Sequence, residues 1–245
     1  MTDIEYLKEI IENAENIVFF GGAGVSTESG IPDFRGGGGL YDDGDENDCG
    51  ERPETILSRA YFKENPEKFY NYYKNNMVYS YAEPNDAHYA LAELERQGKL
   101  SAVITQNIDG LHQAAGSESV IELHGTTKEN YCLGCGKKYP LSYIMESNGV
   151  PKCQSCGATV RPNVVLYGEG LPSSAFARAE ELIYEADVLI VGGTSLTVHP
   201  AASLIDAYQG EHLIIINALP TPYDGYAEMI IREPIGKVLK EAILD

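Results

Sequence analysis

Gly21-Gly22-Ala23-Gly24-Val25-Ser26-Thr27-Glu28-Ser29-Gly30-Ile31-Pro32-Asp33-Phe34-Arg35 follows directly on the apolar run Ile17-Val18-Phe19-Phe20. The run reads as a buried strand, and the small residues after it as a tight turn into a helix. The first N–H groups of a helix are unpaired and its dipole favours negative charge, so a pyrophosphate is the expected ligand. Pro32-Asp33-Phe34-Arg35 adds an acid, an aromatic and a cation beside that turn. By itself the turn is a weak signal. Gly22, Gly24 and Gly30 only approximate the dinucleotide fingerprint, no acid closes a strand about 20 residues on, and a packing turn explains the same glycines.

Outward from this stretch, apolar runs and helical periodicities alternate. Ile4, Leu7, Ile10, Ile11 and Ala14 predict a helix over 3–15, and Ala87, Ala90, Leu91 and Leu94 predict another that begins near Pro84-Asn85-Asp86 and ends at Gly98. Strands are expected at 102–105, 120–123, 163–167, 188–191 and 213–216, with helices at 174–186, around 204–208 and at 235–243. This order predicts an α/β fold, a Rossmann-like doubly wound parallel sheet assembled from 1–35, 84–125 and 160–245. Two insertions interrupt it. Residues 36–83 combine a glycine-rich acidic lid with an aromatic helical module that Pro66 starts, and 126–159 hold the cysteines. The chain 1–245 is read as one catalytic unit.

The 245 residues carry a net charge of −19 with no basic stripe, which argues against direct nucleic-acid binding and is compatible with a basic protein substrate. No apolar run reaches the ~20 residues of a membrane span, and the acidic N-terminus is unlike a secretory signal, so a cytoplasmic protein that does not engage membranes is expected.

Four of the five cysteines form Cys132-x2-Cys135 and Cys153-x2-Cys156, seventeen residues apart. That spacing suits a four-thiolate zinc site, with a redox pair as the alternative. Four thiolates leave no open position, so the metal is expected to be structural. Gly134, Gly136 and Gly157 are expected to free amides for the thiolates. Cys49 is left over and reads as incidental.

His124 stands at a strand end before Gly125, and a histidine is the side chain that can titrate near neutral pH. Asn107 and Asp109 leave a neighbouring strand end, and Asp33 and Arg35 leave the glycine turn, so polar groups converge on one crevice. Structural hydrogen bonds account for His88, His112, His199 and His212.

Together these residues resemble the sirtuins, NAD-dependent protein-lysine deacylases. The resemblance rests on Gly-Ala-Gly-x-Ser at 22–26, Gly-Ile-Pro-Asp-Phe-Arg at 30–35, Thr-Gln-Asn-Ile-Asp at 105–109, Leu-His-Gly at 123–125, the paired cysteines, Arg-Pro-Asn-Val-Val at 161–165, Gly-Thr-Ser at 193–195 and Ile-Asn at 216–217. It runs in order along essentially the whole chain.

The resemblance implies NAD as co-substrate and one structural zinc ion. It implies that Gly22, Ala23, Gly24, Thr27, Asp33, Phe34 and Arg35 line the NAD site, with Arg35 near the phosphates and Phe34 guarding nicotinamide. Gln106 would hold a ribose, and Asn107, Ile108 and Asp109 the nicotinamide. Gly193, Thr194, Ser195, Asn217 and Ile235 would hold the adenosine half. His124 would be the general base, with Asn107 beside it in catalysis. Val165, Leu166, Tyr167 and Val198 would clamp an extended acyl-lysine peptide by strand addition. The implied reaction expels nicotinamide as the acyl oxygen attacks the ribose, and yields free lysine and an O-acyl-ADP-ribose. A monomer is expected.

Two departures bear on specificity. Family members that prefer succinyl or malonyl groups carry Tyr-x-x-Arg in the helical module, whereas this chain has Tyr72 and then Asn75, with Lys74 alongside. Burying a carboxylate without a fixed cation is costly, so neutral acyl groups, acetyl first, are expected. The lid between Gly36 and Pro53 is unusually rich in glycine and acid. Transfer of ADP-ribose to a protein, or a non-catalytic NAD sensor or zinc-bearing interaction module, are the competing readings.

Overall fold

The computed structural model describes residues 2–33 and 51–245. The expectations for Phe34, Arg35, most of the acidic lid and Cys49 therefore lie outside the described residues.

Helix α1 (Asp3–Asn13) starts from a capping box in which the Thr2 hydroxyl accepts from the Glu5 amide and the Glu5 carboxylate from the Thr2 amide. Strand β1 (Ile17–Gly21) follows, buried at every residue. The helix expected after it does not form. Ala23–Val25 and Thr27–Ser29 make two short 3₁₀ turns, and Gly30 turns left-handed at φ 80°. The cause is local. Glycines disfavour a helix, and the Thr27 hydroxyl donates back to the Gly24 carbonyl at 2.9 Å.

Helices α2 (Pro53–Ile56), α3 (Arg59–Glu64) and α4 (Pro66–Asn76) form the aromatic module, with Pro66 at the first turn of α4 as expected. Then come α5 (Asp86–Arg96), β2 (Leu100–Thr105), α6 (Leu111–Ala115) and β3 (Val120–Glu122). The cysteine segment holds β4 (Gly125–Cys132), β5 (Lys138–Pro140), α7 (Leu141–Glu146) and β6 (Val160–Val164). The chain closes with α8 (Ser173–Glu185), β7 (Val188–Gly192), a 3₁₀ segment Ala201–Ala207, β8 (His212–Ile216), β9 (Met229–Ile231), α9 (Ile235–Leu239) and a π-helical turn Lys240–Leu244.

The six-stranded sheet is parallel throughout, in the order β3-β2-β1-β7-β8-β9. Its strands alternate their side chains between two cores, as a sheet covered on both faces requires. Ile17, Phe19, Val103, Ile190 and Ile214 meet α1, α5 and α9 on one face. Val18, Phe20, Ile104, Leu189 and Ile215 meet α8 and the 201–207 segment on the other. The doubly wound sheet is thus as expected.

Two expectations are corrected. The strand placed at 163–167 runs instead over Val160–Val164, pairing antiparallel with β4 in a small sheet of order β5-β4-β6. The helix around 204–208 is 3₁₀, and β9 adds an edge strand of three residues, too short to show a period. The two insertions also share one core: Ile56, Tyr61, Phe62, Phe69, Tyr70 and Tyr73 pack with Cys132, Tyr139, Ile144, Cys153 and Val160.

Candidate active site

Strands β1 and β7 are neighbours at the centre of the sheet, and the strand order proceeds outward from them in opposite directions. Open α/β sheets bind ligands at such a switch point, beyond the carboxyl ends of the strands. Here the two turns interlock. The Gly24 amide donates to the Gly193 carbonyl at 2.8 Å, and the Gly22 amide to the Gly192 carbonyl at 3.3 Å. A Cβ on Gly24 would lie 2.8 Å from the Gly193 Cα, and one on Gly193, at φ 58°, 2.4 Å from the Val25 nitrogen. The glycines at 22, 24 and 193 are therefore demanded first by turn-on-turn packing, which leaves Ala23 and Gly24 half-buried at the strand ends.

A polar cluster grows from this crossing. Ser26 Oγ donates to Asp109 Oδ2 at 2.8 Å and accepts from Asn107 Nδ2 at 3.1 Å. Asp109 Oδ1 accepts the Leu111 amide at 2.9 Å, and the Asn107 amide donates to Thr105 Oγ1 at 3.0 Å. Asn107 is buried, while Asp109 and Ile108 are half-buried. Gln106 Nε2 reaches across from β2 to Thr194 Oγ1 at 3.0 Å. Sequence reading used Ser26 only as the last residue of the Gly-Ala-Gly-x-Ser motif. Its bridging place depends on two turns meeting in space, which no local pattern announces.

His124 sits 2.9 Å by Nδ1 from the Gln106 carbonyl. A carbonyl only accepts, so Nδ1 carries the proton and Nε2 keeps its lone pair. Burial pushes the imidazole pKa down and the Gln106 carbonyl opposes it, leaving it below the usual value of 6.5. At neutral pH His124 is therefore a neutral imidazole with one basic nitrogen.

The adenosine-side candidates lie past β7, β8 and β9. Ser195 Oγ is 2.8 Å from Thr197 Oγ1, and between them Leu196 is held left-handed at φ 53°, an unusual conformation for that residue. Asn217 donates by Nδ2 to the Leu219 carbonyl at 2.7 Å. Ile235 is a core side chain facing Gly192, so only its backbone can address a ligand. Thr27 is exposed and Asp33 half-buried.

Val165 and Val198 are half-buried, Leu166 is buried and Tyr167 exposed. The three amides at 165–167 are already engaged, by the His124 carbonyl at 2.9 Å, Glu169 Oε2 at 3.0 Å and the Leu57 carbonyl at 3.0 Å. A peptide strand added here must take its main-chain donors from elsewhere. The Arg161 guanidinium fixes Glu169, and so this segment, through a two-pronged ion pair. A cavity of about 1110 Å³ is lined by Gln113, Glu122, Lys128, Asn163, Val165 and Arg178, and Asn107, Asp109 and His124 are not among its lining residues.

In the small sheet the four thiols of Cys132, Cys135, Cys153 and Cys156 lie within 4.8 Å of one another and none is in a disulfide. Sulfur separations of 3.4 Å (Cys132 to Cys156) and 3.6 Å (Cys135 to Cys153) are close to the ~3.8 Å edge of a tetrahedron with ~2.3 Å zinc–sulfur bonds. The donor set fits zinc. The Gly134 and Cys135 amides point at Cys132 Sγ, the Ser155 amide at Cys153 Sγ, and Tyr139 donates its hydroxyl to Cys153 Sγ. The Gly136 and Gly157 amides go instead to the carbonyls of Cys132 and Cys153, a correction to the expectation that they serve thiolates.

Lys74 donates to the Ser147 carbonyl at 2.5 Å and to Ser147 Oγ at 3.1 Å, and burial lowers its pKa. Asn75 bonds Asn71 at 3.2 Å. Of the histidines read as structural, His212 is indeed paired with Glu228. His112 departs from that reading: neither ring nitrogen has a hydrogen-bond partner among the described residues.

The model of the Sir2 family matches residues 22–200. A protein of Clostridium acetobutylicum described as an NAD-dependent protein deacetylase is 52% identical over 241 residues, 98% of each chain. One of Clostridium tetani with the same description is 54% identical over 234 residues, 95% of this chain and 94% of its own. Among solved structures, a Sir2 homolog–NAD complex aligns with a TM-score of 0.86 at 41% identity, covering 97% of this chain and 91% of that one. A Sir2 variant with a deacetylated p53 peptide and 3′-O-acetyl ADP ribose aligns with a TM-score of 0.88 at 39% identity, covering 99% and 100%. The parallel sheet and the four-cysteine module agree with this likeness along nearly the whole chain, and the chain belongs to the Sir2 family.

Proposed function

We propose that the protein is an NAD-dependent protein deacetylase that releases acetyl groups from lysine side chains. The observation that carries the mechanism is His124, neutral and oriented by the Gln106 carbonyl, beside the Asn107–Ser26–Asp109 cluster. NAD, when bound, supplies a ribose carbon opened by loss of nicotinamide and a hydroxyl that becomes the acceptor of the acyl group. Asn107, Ile108 and Asp109 are assigned to the nicotinamide end, held in place by Ser26. Gly22, Ala23, Gly24 and Thr27 are assigned to the phosphate side, and Asp33 to the nicotinamide end. Gln106, Gly193, Thr194, Ser195, Asn217 and the Ile235 backbone are assigned to the riboses and adenine. His124 Nε2 takes the proton of the ribose hydroxyl.

Val165, Leu166, Tyr167 and Val198 are assigned to the peptide. Neutral acyl groups are preferred, because Asn75 is uncharged and Lys74 is tied to Ser147. One zinc ion on the four cysteines holds the small sheet and takes no part in the chemistry. The reading extends to a single catalytic unit over 1–245 and to a cytoplasmic monomer that binds neither nucleic acid nor membrane, supported by a net charge of −19. No described helix is long and apolar enough to cross a membrane.

Incubating an acetyl-lysine peptide with NAD and weighing every product tests this. Acetyl must leave the peptide and appear on ADP-ribose. ADP-ribose attached to protein, with the acetyl-lysine untouched, would establish the transferase reading instead.

A further inference from the structure

The crossover from β8 to β9 is held by an arginine that the assigned site does not use. Arg232 follows β9 directly, and its Nη1 donates to the carbonyls of Asn217 at 2.9 Å and Leu219 at 2.8 Å. Its Nη2 pairs with the Asp224 carboxylate. Asp224 is fixed in turn, because its Oδ1 accepts from the Thr221 amide at 3.1 Å and the Thr221 hydroxyl at 2.8 Å. One guanidinium thus gathers three acceptors from a single loop. A lysine, a point charge without a planar fork, cannot reproduce that geometry.

The consequence falls on Asn217. Its amide is bonded to the Ile231 carbonyl at 3.1 Å, which joins the ends of β8 and β9. Its side-chain nitrogen faces the Leu219 carbonyl, the same oxygen that Arg232 holds. Because a carbonyl only accepts, the amide nitrogen of Asn217 must turn toward the loop, and Oδ1 is the atom presented outward. With the carbonyls at 217 and 219 pinned, the side chain keeps that orientation although Leu219 itself is 61% exposed.

We infer that Arg232 is a positioning residue for the adenosine end of NAD: it clamps the loop so that Asn217 presents Oδ1 as an acceptor to a ribose hydroxyl. This rests on the assignment of Asn217 to the adenosine ribose. The interaction is uniform binding, made before and during the reaction alike, so its loss raises the KM for NAD and spares kcat. Acting through one residue also makes the effects of Arg232 and Asn217 non-additive.

The test is a double-mutant cycle on the zinc-loaded protein, with Arg232→Gln, Asn217→Ala and the pair. KM for NAD, KM for an acetyl-lysine peptide, kcat and Tm are measured for each. Arg232→Gln is expected to raise the KM for NAD about tenfold, with kcat and peptide KM within about twofold of the parent. The pair is expected to be no worse than Asn217→Ala alone. Arg232→Lys, which keeps the charge, is expected to recover only part of the loss, and it serves as the second variant if Arg232→Gln lowers Tm. Multiplying effects in the pair, or a parental KM for NAD in Arg232→Lys, overturns the inference. An unchanged KM for NAD in Asn217→Ala refutes the ribose assignment beneath it, and the inference falls with it.

Discussion

Replacing His112 with leucine changes how stability depends on pH. The His112 ring is 1% exposed on α6, 4.7 Å by ring centroids from that of His88, and both its nitrogens lack partners among the described residues. Burial, and then the neighbouring His88, push its pKa from 6.5 down to about 3. Burial likewise takes His88 to about 4, with the Asp109 charge opposing. A histidine whose folded pKa is depressed is protonated first in the unfolded chain. Its contribution is therefore intact above the unfolded value of 6.5 and drains away as pH falls toward the folded value. At ~1.4 kcal/mol per proton and pH unit, His112 alone costs roughly 3 kcal/mol by about pH 4.5, a large share of the ~5–15 kcal/mol that holds a typical domain. Urea unfolding of zinc-loaded parent and His112→Leu, followed by circular dichroism from about pH 7 to about pH 4.5, measures this. The free-energy difference between variant and parent should move by roughly 3 kcal/mol in favour of the variant as pH drops. Protonation of zinc-bound thiolates affects both proteins and cancels in that difference. A difference that stays flat over the range would refute the reasoning, since it would mean His112 binds its proton equally in both states.

Three further outcomes follow from the geometry. Gly193→Ala should lower stability by about 2 kcal/mol or more and weaken NAD binding, because φ is 58° and the new Cβ would sit 2.4 Å from the Val25 nitrogen; equal Tm values would contradict the interlocked turns. Removing zinc should melt the core shared by the helical and cysteine segments, with Tm and activity falling together, whereas full activity after alkylation of all four thiols would rule out a structural metal. Succinyl-lysine peptides should be turned over at least about tenfold less efficiently than acetyl-lysine peptides, and Lys74→Ala should leave that ratio unchanged. A ratio that shifts in Lys74→Ala would place that ammonium in the acyl pocket.

The parallel sheet was legible because strands buried on both faces are continuous apolar runs. Ile17 to Phe20, Val188 to Val191 and Leu213 to Ile216 admit little else. The cysteine site was legible because ligand spacing is local. What escaped was set by tertiary crossings or lacked a period. Strand β4, Gly-Thr-Thr-Lys-Glu-Asn-Tyr-Cys, is polar and half-exposed, and its pairing with β6 moved the expected strand at 163–167 toward the N-terminus. The glycine turn read as a helix start, yet side-chain bonds and glycine content left two 3₁₀ turns, so any anion there meets turn backbone and not a helix dipole. At the site, His124, Asn107 and Asp109 were visible as polar residues at strand ends, whereas Ser26 and Arg232 gain their places only when separate loops meet.

The account turns on His124 coupling the fate of NAD to acyl-lysine. Nicotinamide release and deacetylated peptide, quantified side by side, test that coupling in the parent and in His124→Ala. The account predicts that the parent releases nicotinamide only when acetyl-lysine peptide is present, one for each lysine freed, and that His124→Ala forms almost no deacetylated product although it remains folded. Nicotinamide release that ignores the peptide, or product formation undiminished in His124→Ala, would contradict it.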